Sequence, residues 1–326
     1  MIAPHSALVL TLLVAPAFTA ALTAAGVSPV ARDCAPNAAT AERAQPSFQL
    51  PRAHFEAGQS FRLSSTSHSI LKTQIVEAGR AVQTFDQAED RSAEKTIDVL
   101  AVDAHGPTKL RVTYSALQFL QKQMREEGAD PALLDAESMH DVHPLEGRTF
   151  VLVADGASFR VLDGAEMPVS EGLAQLVCDE ESVQHGAWLP AGRRLENELA
   201  GRTITLGASI DVLPETARAF VDGRSDLDHV SMRIVPRVAR QVSGLRCAVF
   251  DARLEVEGKG GAESPAMQVT LSGEVYIDLA SGRFVGAELA GKLTLGEAQH
   301  DLTNAVEVLG EGPWQISQHF VAAAKN

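Results

Sequence analysis

From Leu271 the chain reads LSGEVYIDLASGRFVGAELAG. Val275, Ile277 and Leu279 alternate with Glu274, Tyr276 and Asp278, the period-two pattern of a strand with one buried face. The run closes at Ser281-Gly282, where glycine can take the positive φ of a bulged hairpin turn. This pattern recurs along the chain. TIDVLAVDAHGPTKLRVTY is strand, Gly-Pro turn, strand, with Leu110, Val112 and Tyr114 on one face. SILKTQIVEAGRAVQTF turns at Gly79, GLRCAVFDARLEVEGKGG ends in glycines, and NAVEVLGEGPWQISQHFV reads as a further pair around Gly312-Pro313. Strands joined by short turns, with no regular strand–helix alternation, point to antiparallel meander sheets in a curved sheet or half-barrel, and away from a parallel α/β fold.

Helical patterns are few. PVSEGLAQLVCDEES places Leu173, Leu176 and Val177 on one face. LPETARAFVDGR opens with Pro214 at a first turn and stops at Gly223. SALQFLQKQMREEG fits a helix through Leu117, Leu120 and Met124, or a continuing strand through Leu117 and Phe119.

One hairpin has an earlier counterpart. LEGRTFVLVADGASFRVLDG, from Leu145, matches the opening segment at a constant offset: Leu145 with Leu271, Gly147 with Gly273, Ala154 with Ala280, Gly156 with Gly282. FEAGQSF from Phe55 also resembles LPAGRRL from Leu189. Two echoes in one order favour two similar halves. The chain then divides into a signal peptide over 1–25, a flexible linker over 26–47, β-rich half A over 48–165, a connecting helix over 166–186 and β-rich half B over 187–322. Its 326 residues suffice for that.

The first segment, MIAPHSALVLTLLVAPAFTAALTAAG, has an apolar stretch followed by small residues suited to cleavage, although His5 is its only basic residue. The expectation is a secreted or periplasmic protein with no stable membrane span after signal removal; retention of the segment as an anchor is the alternative. Net charge is −14, which disfavours nucleic acid and anionic lipid headgroups. Cys178 and Cys247 are the candidates for a disulfide in an oxidising compartment, against the reading of each as a small buried hydrophobe.

Chemistry-bearing patterns are sparse. His140 and His143 in MHDVH make two ligands without a third, and read as a polar loop before Pro144. Ser69 and Lys72 have Ser-x-x-Lys spacing but sit in a strand pattern rather than a helix. DGRSDLDH is acidic without the order of a calcium loop. CDEES reads as a solvated face. No metal site, cofactor motif or catalytic constellation emerges. In the first hairpin Phe150 and Leu152 are apolar on the face opposite Val151 and Val153, so that strand needs cover on both sides, or a ligand on one. Phe150 and Leu152 are therefore the candidate ligand-lining residues.

The hairpin VYIDLASGRF, behind a signal peptide, resembles hairpins of uncharacterised secreted β-rich proteins of the bacterial envelope, and more loosely the half-barrel carriers of lipoproteins and lipids. That resemblance implies a curved antiparallel sheet, covered by a few helices, holding acyl chains on its concave side. Three functions stay open: a non-catalytic extracytoplasmic protein binding an apolar small molecule or lipid, a structural or protein-interaction module of the envelope, and a hydrolase with a dispersed site.

Overall fold

A computed structural model describes residues 46–77, 80–104, 106–125, 143–156, 158–184, 187–221, 227–258, 266–300 and 305–322. The predicted signal peptide, nearly all of the linker, and His140 lie outside these residues.

The first half of the chain forms β1 (Ser47–Gln49), then the long strands β2 (Ser60–Glu77), β3 (Arg80–Val102) and β4 (Pro107–Arg125), then the hairpin β5 (Thr149–Asp155) and β6 (Ser158–Asp163). Next come α1 (Glu171–Glu180), β7 (Val183–Gln184), β8 (Ala187–Trp188), α2 (Ala191–Leu199), β9 (Thr203–Thr205), β10 (Ile210–Val212) and α3 (Pro214–Ala219). The second run of strands is β11 (His229–Pro236), β12 (Arg240–Val242), β13 (Leu245–Gly258), β14 (Ala266–Asp278), β15 (Phe284–His300) and β16 (Ala305–Ala322).

Among the described residues the protein is mainly β, with antiparallel sheets, three short helices and a main sheet that does not close into a barrel. That sheet has twelve strands in the order β10-β11-β13-β14-β15-β16-β2-β3-β4-β5-β6, with β12 pairing β13. The last strand of the chain thus pairs with the first long one, Trp314 opposite Ser69 and Phe320 opposite Leu63. Strands from the two halves of the sequence form two wings on either side of this junction.

Apolar residues of one face build two cores. On the β11–β15 wing, Phe250, Leu254, Leu271, Val275 and Leu289 pack under α2 and α3 through Leu195, Leu199, Ala217 and Phe220. On the β3–β6 wing, Ile97, Val99, Leu110, Val112, Tyr114, Phe150 and Leu152 pack with Val177 of α1. Phe320 touches both cores. Among the described residues no helix is long and apolar enough to cross a membrane.

Three local expectations are corrected. Gly312-Pro313 is not a turn: β16 runs straight through it. Pro313 stays opposite Lys292 of β15, while the pairing with β2 passes from Glu311↔Lys72 to Trp314↔Ser69. Pro has no N–H to give to β2. Gly312 lets the Ile70 carbonyl approach so closely that a Cβ would sit 1.9 Å from its oxygen. Second, SALQFLQKQM continues as β4, paired along its length with β3. Third, LPAGRRL starts a helix rather than echoing FEAGQSF. Ala191, Leu195 and Leu199 follow helical spacing, and all three are buried in the core.

Candidate functional site

The two covering layers part over the middle of the sheet, and there a cleft of about 370 Å³ opens. Its floor is β16, β2 and β3, and its walls come from α1, α2 and the end of α3. The register places Ile316 opposite Ser67, Gln318 opposite Ser65 and Phe320 opposite Leu63, all with side chains on the inner face. Arg91 and Lys95 of β3 complete the floor. The β2–β3 ladder pairs Ser60 with Asp98 and resumes at Ile70 with Ala88. The stretch between, which includes Ser65, Thr66, Ser67, Arg91 and Lys95, lies outside the ladder. Thr66 has the opposite strand phase to Ser65 and Ser67 yet also lines the cleft, so the cleft reaches into the gap between the strands.

Aromatic side chains concentrate here. The chain has two Trp and twelve Phe; both Trp188 and Trp314 line the cleft, with Phe55, Phe220, Phe284 and Phe320. Trp188 meets Phe55 edge-on at 5.8 Å between centroids, and Phe220 meets Phe284 in the same way at 6.2 Å. Trp314 Nε1 donates to Ser67 Oγ at 3.2 Å. Trp188 Nε1 is buried without an acceptor among the described residues. Gly192, at the start of α2, lies directly under the Phe284 ring, where a Cβ would come within 2.3 Å of a ring carbon.

Ion pairs fasten the helices to this floor. Lys95 Nζ donates to Glu181 Oε1 at 2.7 Å, and Tyr114 Oη donates to the same oxygen at 2.7 Å. Arg91 pairs with Glu180 at 2.8 Å. The end of α1 is therefore clamped to β3 and β4. Burial, the largest influence on Lys95, disfavours its ammonium, but Glu181 and Glu180 outweigh it and the net shift is upward. Burial and Glu181 both push the Tyr114 phenol upward. On the other wall Glu196 pairs with Arg193 at 2.9 Å and accepts from the Phe284 backbone N–H at 2.8 Å. Burial raises the Glu196 carboxyl above its usual range, and Arg193 and the Phe284 N–H only partly reverse this.

The residues singled out in the sequence lie mostly elsewhere. Phe150 and Leu152 are fully buried in the core beneath α1 and do not line the cleft. Val151 is fully buried as well, so this part of β5 is covered on both faces. Cys178 and Cys247 are both free. Cys178 packs on the α1 core, whereas Cys247 belongs to a small cluster with Val249, Tyr276 and Val285 on the other face of β13. They sit in separate clusters, and no bridge joins them. His143 lines the cleft, with Nδ1 accepting from the Leu145 N–H at 3.3 Å. Among the described residues no group of three or more His, Cys, Asp or Glu is placed to hold a metal ion. Ser69 is buried on the inner face and Lys72 points out from the other, so strand geometry separates them. CDEES is not a solvated face throughout, because Glu181 is buried in the Lys95–Tyr114 network.

No protein-family model and no curated protein matches the sequence. Among solved structures the chain is similar to one described as lipid-protein interactions in lipovitellin, at 7% identity and a TM-score of 0.38. The match covers 84% of this chain and 26% of the other, so the chain spans about a quarter of its length. A likeness this distant carries no argument about ligand or activity.

Proposed function

We propose that this is a non-catalytic, extracytoplasmic binding protein that holds an apolar small molecule or lipid in the midline cleft. The observation that carries the reading is the placement of both tryptophans and four phenylalanines around one open volume between two clusters of buried apolar residues. A cleft of this size is at the lower end of the range for small-molecule sites, roughly 300–1,000 Å³. The extracytoplasmic part rests on the pattern of the first 25 residues; N-terminal sequencing of exported protein still beginning at Met1 would count against it. N-phenyl-1-naphthylamine, a neutral apolar fluorophore, tests the binding reading. All tryptophan emission comes from the cleft walls, so bound probe should draw energy from it. Saturable one-to-one binding with falling tryptophan emission is expected. Linear, unsaturable uptake with unchanged tryptophan emission would favour a structural module.

A further inference from the structure

The rings around the cleft are not equivalent. Given that the cleft is a binding site, the difference between them names a ligand class. Five of the six have ring partners within the protein. Phe55 meets Trp188 at 5.8 Å between centroids, Trp188 meets Phe320 at 6.4 Å, and Phe320 stacks on Phe61 at 4.9 Å. Phe220 meets Phe284 at 6.2 Å. The guanidiniums of Arg193 and Arg283 also lie against the Phe55 ring, at 4.7 and 5.0 Å. Trp314 is the sixth. Among the described residues no ring and no cation is placed against its indole.

Trp314 is nonetheless held in place. Its Nε1 donates to Ser67 Oγ at 3.2 Å. Ser67 stands opposite Ile316, so it is the diagonal neighbour of Trp314 across the β16–β2 ladder. A bond to that neighbour draws the indole over the cleft floor, from β16 onto β2. The side chain packs against the β11–β15 core, stays half-buried and lines the cleft. Aromatic rings in contact gain from their quadrupoles beyond the area they bury. The other five cleft rings realise that gain within the protein, and Trp314 does not.

We infer that the cleft takes a ligand with a planar aromatic ring, which packs on the Trp314 indole, in preference to a saturated ring or alkyl chain of the same size.

The test is competition against N-phenyl-1-naphthylamine by the para-hydroxymethyl derivatives of biphenyl and of bicyclohexyl, which share one heavy-atom skeleton. The saturated compound is the more apolar, so burial alone favours it. The inference predicts the opposite order, with the biphenyl bound about two- to ten-fold more tightly by the wild type, the range for one aromatic pair. Trp314→Leu keeps an apolar side chain but no ring, and should abolish or reverse that preference. Trp314→Phe should retain it. The ratio of the two affinities is read within each protein, so a general loss of stability in a variant leaves the comparison intact. Equal or tighter binding of the saturated compound by the wild type overturns the inference, while fluorophore binding keeps the cleft as a site. So does a biphenyl preference that Trp314→Leu leaves unchanged. Absence of saturable binding by every compound, fluorophore included, overturns the binding reading and this inference with it.

Discussion

Replacing Lys95 by Met tests the clamp between α1 and the sheet. The Lys95 side chain is 7% exposed and that of Glu181 is 1% exposed. Met keeps most of the apolar stem and removes only the charge and its donors. What remains is a buried Glu181 carboxylate with the Tyr114 hydroxyl as its neighbour at 2.7 Å. Removing one member of a buried pair costs about 3–5 kcal/mol, most of it the penalty on the charge left behind. Urea unfolding at neutral pH should show that loss. Lys95→Met combined with Glu181→Gln should recover at least about 2 kcal/mol, because no orphaned charge then remains. The raised pKa of Lys95 sets the pH window. The pair's stabilisation is fully present below the ordinary lysine value of 10.5, and is lost only as pH rises through the higher folded value. A Lys95→Met cost below about 1 kcal/mol, or a double variant no more stable than the single, would refute the clamp.

Other expectations follow from the same structure. The raised Glu196 pKa means its contribution is full below the ordinary glutamate value of 4.5 and declines as pH rises through the folded value. Glu196→Gln should therefore gain on the wild type in thermal melts as pH is raised from acid to neutral; a pH-independent difference would contradict this. Leu152→Ala should cost about 2–5 kcal/mol in urea unfolding and leave fluorophore affinity unchanged, because Leu152 is packed core and not cleft wall. Gly312→Ala should cost at least about 1–3 kcal/mol, since its Cβ meets the backbone of β2, which has little room to move; a neutral melt would show that the strands separate easily there.

The fold class was legible because many strands are long and alternate in sequence, as in Leu110–Tyr114, where Arg111 and Thr113 stay part-exposed; at Val275–Asp278 the same alternation hid a second buried face, on which Tyr276 packs with Cys247, Val249 and Val285. Turn chemistry misled at Gly312-Pro313, where glycine serves a close strand approach and proline occupies a site facing an interruption in one ladder. The helix α2 was hidden because its apolar residues are few and small at its start, and a Pro-Ala-Gly stretch looks like a turn. The cleft was harder to read. Its lining comes from segments as distant as Phe55, Lys95, Trp188 and Phe320, brought together only by the pairing of β16 with β2. One signal was present: in Ala93, Lys95, Ile97 and Val99 the lysine falls in the apolar phase of the strand, which requires a buried partner. Its partner, Glu181, sat in an acidic run whose composition suggested only solvent. Phe150 and Leu152, read from the sequence as candidate ligand-lining residues, lie in the core beneath α1 and not in the cleft.

The central claim is that the volume over the sheet midline holds ligand. Ser65 is on its floor and outside both packed cores, so Ser65→Phe should fill the cleft without disturbing the fold. The decisive measurement is an N-phenyl-1-naphthylamine titration of wild type and Ser65→Phe, with urea unfolding of both. The account predicts saturable binding by the wild type, at least about ten-fold weaker binding by the variant, and stabilities within about 1 kcal/mol of each other. Equal affinity in the two proteins would place any binding elsewhere and contradict it.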